Sequence, residues 1–172
     1  MKKIISILSM LLLSQIIFAQ AKDFTVTGSG VRVKKIAFVS VNVYNITHSM
    51  KDIPVKSAIE VINADTDKKF VLKLMRDLDA DKIASAIKEA FAANGYTNTA
   101  NINNFSGVLT GDLKENDLIT IAYNSTSKST SCSSGGKTAT VSGIDFMKAT
   151  WSIWFGKIDQ PALTQSLLSK IP

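Results

Sequence analysis

The chain offers one cysteine, Cys132, and one histidine, His48, among its 172 residues. A lone cysteine excludes a disulfide framework and any cysteine-built zinc site within the chain. A lone histidine excludes a His-rich metal centre and leaves a histidine-based triad only if His48 is the base. Concentrated charge is missing too. The 20 Lys+Arg and 14 Asp+Glu give a net +6, but the lysines are scattered beside acids, as in Asp65-Thr66-Asp67-Lys68-Lys69 and Asp79-Ala80-Asp81-Lys82. The one basic knot, Arg32-Val33-Lys34-Lys35, is too short for a nucleic-acid-binding stripe, so no nucleic-acid partner is expected. No period of solenoid or propeller length recurs. With 45% hydrophobic and 20% charged residues, the composition is that of an ordinary globular protein.

The N-terminus stands apart. Lys2 and Lys3 precede an apolar run from Ile4 to Phe18, and Ala19-Gln20-Ala21 follows with small residues at signal-peptidase spacing. This order predicts a secretory signal peptide over residues 1–21 and a single domain over 22–172. Cleavage removes two lysines and no acid, lowering the net charge from +6 to +4. The expected product is exported, periplasmic or secreted, with no integral membrane span. No cysteine near the cleavage point is available for a lipoprotein anchor.

Downstream, periodicity predicts strands at Phe24–Thr27, ending at Gly28-Ser29-Gly30, and at Ile36–Ile46. The latter puts Val39, Val41 and Val43 on one face and Ser40, Asn42 and Tyr44 on the other. Residues 57–63 read as either strand or short helix, and Phe70–Met75 as a strand. Asp79 caps a helix whose stripe is Ile83, Ile87, Ala90 and Phe91, and Gly95 ends it. A short helix is expected around Asn103–Leu109. Leu118–Tyr123 and Lys137–Val141 read as a hairpin joined by a loose polar tip over residues 125–136. Ile144–Phe155 and a leucine-lined helix opened by Pro161 close the chain. The mixture without regular alternation predicts an α+β fold with a mainly antiparallel sheet.

Three segments together resemble the chalcone isomerase family in its bacterial exported branch. They are Gly28-Ser29-Gly30-Val31-Arg32 with the strand ending Val41-Asn42-Val43-Tyr44, then Leu74-Met75-Arg76-Asp77 running into a helix. Ser142-Gly143-Ile144-Asp145-Phe146 through Ile153-Trp154-Phe155-Gly156 is the third. The resemblance implies an open-faced β-sandwich, a large antiparallel sheet covered by a layer of helices, with a ligand cleft between the two. Enzymes of the family cyclise a chalcone to a flavanone, an arginine steadying the phenolate while threonine, tyrosine and asparagine hold the rest. Carried over, the arginine falls on Arg32, while the strand threonine falls near Val39 and the late threonine near Ile153. The helix after Arg76-Asp77 has no tyrosine, and its only asparagine is Asn94. One member of the catalytic set therefore survives.

What remains is one cation at the mouth of an apolar cleft, suited to a carboxylate or phenolate head. The resemblance extends to non-catalytic, fatty-acid-binding members. The expected site is Arg32 for the head group, with Val39, Val43, Ile153 and Trp154 along the tail and Tyr44 or Tyr123 as further donors. The partner is thus a small amphipathic or aromatic anion, with no cofactor and no metal. The alternatives are residual chalcone isomerase activity through Arg32, or a structural or partner-binding envelope protein whose cleft is collapsed. Other residues have plainer readings. Arg32 could instead pair with Asp77, Arg76-Asp77 reads as a structural ion pair or helix entry, and Trp151 and Trp154 read as core. His48 is expected in an exposed loop, and Cys132 as an exposed thiol free to dimerise.

Overall fold

The computed structural model describes residues 23–53 and 55–171, so the signal-peptide expectation for residues 1–21 lies outside the described residues. The strands are β1 (Thr25–Ile36), β2 (Val39–Met50), β3 (Lys68–Leu74), β4 (Leu78–Asp79), β5 (Asp112–Leu113), β6 (Leu118–Asn124), β7 (Ser129–Ser134) and β8 (Lys137–Ser142). The helices are α1 (Ala58–Asn63), α2 (Ala80–Ala93), α3 (Thr99–Ser106), α4 (Ile144–Phe155) and α5 (Pro161–Leu168). Six strands form one sheet in the order β1-β2-β3-β6-β7-β8, with β4 and β5 paired separately. Every pairing is antiparallel. This is the α+β open-faced arrangement the sequence predicts.

Alternation along the strands makes one buried face. Ile46, His48 and Met50 of β2, Phe70, Leu72 and Leu74 of β3, and Ile119, Ile121 and Tyr123 of β6 all point inward. They meet Phe146, Met147, Trp151, Trp154 and Phe155 of α4, a helix apolar almost all round because the sheet and the other helices cover it on every side. Phe70 sits among Trp151, Trp154 and Phe155 with ring centroids 5.2, 4.6 and 5.8 Å away. The expected Asp79 cap is present, Oδ1 accepting from the Asp81 amide at 3.0 Å. The Ser57 hydroxyl caps α1, which settles residues 57–63 as helix.

Several expectations are corrected. β1 runs straight through Gly28-Ser29-Gly30 because α5 lies against it. A β-carbon at Gly28 would collide with the backbone of Ser166 and Leu167, and one at Gly30 would come 2.7 Å from Leu163 Cδ1. These glycines admit a helix rather than end a strand. The turn falls at Ala37-Phe38, so β2 starts at Val39 and continues to Met50. The residues expected to form a loose tip supply a whole strand, β7, whose inward positions Thr130, Cys132 and Ser134 are small and buried. Cys132 is therefore an interior thiol, not an exposed one, and burial pushes its pKa up to about 12. It is closed to dimerisation.

His48 is also buried, not in a loop: it stands two residues after Ile46 on the same inward face. A bulge in β1 leaves Thr27 unpaired between Val26 and Gly28 and turns its hydroxyl toward the ring. The Trp151 indole N–H, which can only donate, bonds His48 Nε2 at 2.9 Å. The ring proton is therefore on Nδ1, donated to Thr27 Oγ1 at 2.6 Å, and the Thr27 hydroxyl donates to the Leu167 carbonyl at 2.9 Å. The chain uses every polar atom of the ring.

Two outcomes follow. Gly28→Ala should cost about 3 kcal/mol by overpacking, a fall in Tm of roughly 6–12 °C. Ser29→Ala, at the exposed position between the two glycines, should leave Tm unchanged. Burial, helped by the charge of Lys68, lowers the His48 pKa from 6.5 to about 3. The unfolded chain therefore takes up a proton that the folded chain refuses. The His48 contribution is full above pH 6.5 and is lost as pH drops toward 3. Denaturant midpoints measured between pH 7 and pH 4.5 should fall for the wild type and flatten in His48→Gln; equal slopes would remove His48 as the cause.

Candidate functional site

The site is built on a second irregularity in the β1–β2 ladder. Arg32 stands opposite Tyr44 and Val33 opposite Asn42, which leaves Val43 as the extra residue of a β-bulge. The bulge resets the alternation, so Tyr44 shares a face with Val41 and Val39 instead of opposing them. Arg32 and Tyr44 are thereby cross-strand neighbours on one face.

Each is held from the helical layer. Tyr44 Oη accepts from Trp154 Nε1 at 3.0 Å. Arg32 Nη1 reaches Asp159 Oδ1 at 2.6 Å and Gln160 Oε1 at 3.4 Å, both in the link between α4 and α5. Gln160 also binds the outer edge of β1, its Oε1 accepting from the Val33 amide and its Nε2 donating to the Val31 carbonyl, each at 2.9 Å. Burial raises the Tyr44 pKa against the opposing pull of the Trp154 hydrogen bond and the Arg32 charge, so the phenol stays protonated. Its oxygen accepts the indole N–H while its own proton has no other partner among the described residues. The Arg32 side chain is 18% exposed, whereas that of Asp159 is 70% exposed. The guanidinium is thus a fixed, half-sheltered cation, and the aspartate is a carboxylate docked on it from outside.

α2 passes near this end of β1, sharing a depression with Lys34. Its C-terminal end is pinned by Asn94, whose Oδ1 accepts from the Lys157 amide at 2.7 Å while Nδ2 donates to the Ala90 and Lys157 carbonyls at 2.9 and 3.2 Å. Two shallow depressions of about 540 and 490 Å³ border the helix, one reaching Asp159 beside Pro161 and Thr164, the other reaching Lys34 beside Ser85 and Glu89. The apolar stripe Ile83 and Ile87 is half-buried against the core, and neither depression is lined by it or by Arg32 and Tyr44. In chemical terms the site is one cation beside one hydroxyl donor. That can hold the head group of an anion, and among the described residues it contains no base–nucleophile pair.

The structure brings together Arg32, Tyr44 and Trp154, and buries Ile153 on α4. It does not bring in Val39, which is 62% exposed at the hairpin end, about 17 Å along the strand from Tyr44. Tyr123 is buried on the expected face with Ile119 and Ile121, but it lies opposite Lys68 while Tyr44 lies opposite Leu74. They sit at opposite ends of β3. The Tyr123 hydroxyl donates to Asp65 Oδ1 at 2.7 Å. Asp77 takes Lys114 at 3.2 Å and the Glu115 amide at 2.9 Å, not Arg32. Of the positions matched to catalytic hydroxyls, Val39 and Ile153 have none, and Asn94 is spent on Lys157.

The sequence reading missed Asp159 and Gln160. An acid and an amide before Pro161 look like ordinary linker residues until the return of α5 along β1 lays them beside Arg32. It also missed buried Lys68, whose Nζ donates to the carbonyls of Val61, Ala64 and Ile62 at 2.6, 2.9 and 3.3 Å and closes the C-terminal end of α1. Burial draws its pKa down to about 7. Among the described residues no group of three or more His, Cys, Asp or Glu could hold a metal, and no helix is long and apolar enough to cross a membrane.

Comparison with known proteins accords with this architecture. A crystal structure of a fatty-acid binding protein from Arabidopsis thaliana superposes with a TM-score of 0.68 at 11% identity, covering 84% of this chain and 86% of that one. No curated protein matches by sequence. The family model described as chalcone isomerase-like matches residues 12–169. The chain belongs to the chalcone isomerase-like family.

Proposed function

We propose that this protein is an exported, non-catalytic binder of small amphipathic anions, with fatty acids as the fitting class. The observation that carries the reading is the docking of the Asp159 carboxylate on Arg32, beside a Tyr44 hydroxyl whose proton is unspent. Asp159 stands where a ligand carboxylate would sit. A fatty acid that displaced it would gain a guanidinium and a phenol donor together, with its tail passing beneath Ile83 and Ile87 of α2. The description of the Arabidopsis protein as fatty-acid binding supports the ligand class. The charged, apolar and small-residue order of residues 1–21 supports export. The lack of a hydroxyl at Val39 and Ile153, the positions matched to the family's threonines, supports binding without turnover.

A second reading, a partner-binding protein with a filled cleft, is favoured by one observation: Trp154 is only 3% exposed and already occupies the interior beside Tyr44.

Titration calorimetry with dodecanoate separates the two. Binding is expected, weakened in Arg32→Ala by about tenfold to a hundredfold, the size of a charged hydrogen-bonding partner lost. Asp159→Asn removes the internal competitor and is expected to tighten binding by up to about fivefold, since a half-exposed pair is worth at most about 1 kcal/mol. Binding unchanged in Arg32→Ala would refute the head-group assignment. A protein that takes up no fatty acid even as Asp159→Asn would favour the filled cleft.

A further inference from the structure

We propose that the tip of the β1–β2 hairpin docks the protein on an anionic lipid surface, with Phe38 entering the acyl region. β3 pairs with β2 only from Tyr44 to Met50, so residues 33–43 run on as a two-stranded arm with no third strand. The arm extends about 16 Å past the sheet. A two-stranded ribbon is marginal in water on its own, and this one ends in apolar side chains. Phe38 is fully exposed at 105%, and Val39 beside it is 62% exposed. The preceding residue, Ala37, has φ +53°, in the left-handed region that glycine usually fills at a hairpin turn. An alanine there costs about 1–2 kcal/mol, and no packing among the described residues at the tip recovers that cost.

Charge selects the occupant. Lys34 and Lys35 form a collar just behind Phe38, and the whole stretch from Thr25 to Met50 contains no Asp or Glu. An aromatic tip with a lysine collar suits the boundary between acyl chains and anionic headgroups. A second copy suits it poorly, because a two-fold contact between tips would set each lysine pair against its equivalent. From α2, Asp79, Asp81 and Glu89 share a depression with Lys34, and Lys82 joins them. These carboxylates offset part of the collar, so insertion of Phe38 is the larger contribution and salt dependence is moderate.

The arm also bears on the ligand site without depending on it. Arg32 and Tyr44 lie at its root, so a tip planted in a bilayer sets the depression beside Lys34 toward the lipid.

The test mixes the protein as isolated from cells with vesicles of phosphatidylcholine, with and without phosphatidylglycerol. Sedimentation is expected with the anionic vesicles, reduced at high salt. Phe38→Ser should weaken it by about tenfold or more, the worth of burying a phenylalanine. Lys34→Glu with Lys35→Glu should weaken it less. Phe38 is fully exposed, so these changes leave folding intact. Phe38→Trp reports depth directly, because Trp151 and Trp154 are buried. Its fluorescence should be quenched by lipids brominated on their acyl chains. Attachment through any other part of the chain would leave that tryptophan unquenched and overturn the proposal. So would equal binding by Phe38→Ser, or a concentration-dependent dimer that Phe38→Ser abolishes.

Discussion

The hydrogen-bonded line from Trp151 through His48 and Thr27 to the Leu167 carbonyl is the constraint that orders the rest of this molecule. It crosses from α4 to β2, to β1 and to α5 with no exposed member, so four elements share one register. A polar chain in an apolar interior tolerates few arrangements, because each unpaired atom would carry its full desolvation cost. Three residues farther along α4 and four residues back along β2, Trp154 and Tyr44 repeat the same indole-to-strand contact at the site. The placement of the candidate ligand donor therefore follows from the packing of the core.

The same logic explains why Arg32 can face a carboxylate at all. A guanidinium fully inside the sandwich would demand a buried partner, while one at the rim of the sheet can exchange partners with solvent. The bulge at Val43 brings Tyr44 to the cation, and α5 returns along β1 because Gly28 and Gly30 leave room for it. Asp159 and Gln160 arrive with that return.

Much of this was legible before folding. Inward alternation of Ile119, Ile121 and Tyr123, the capped helix after Asp79, and the apolar α4 were all present as patterns. Arg32, Tyr44 and Trp154 were named for the site, and the fold places them together. What escaped the pattern was set by events that leave no periodic trace. A one-residue bulge reversed the predicted face of Tyr44. Small hydroxyl side chains in β7 look like a loop, since their burial depends on the helices above and not on their own hydropathy. His48 and Lys68 look like surface residues because burial of such groups is made tolerable by partners distant in the chain: an indole in one case, three carbonyls of a helix end in the other.

Gln160 has one more consequence. β1 is a twelve-residue edge strand, and such an edge offers a row of free amides and carbonyls to any other extended chain. The Gln160 side chain imitates a neighbouring backbone at Val31 and Val33, and the Lys170 amide takes the Thr27 carbonyl farther down. The closing helix and its flanks thus act as a guard rail against aggregation, and a chain truncated before α5 would present a long, unsheltered template for cross-molecular strand pairing.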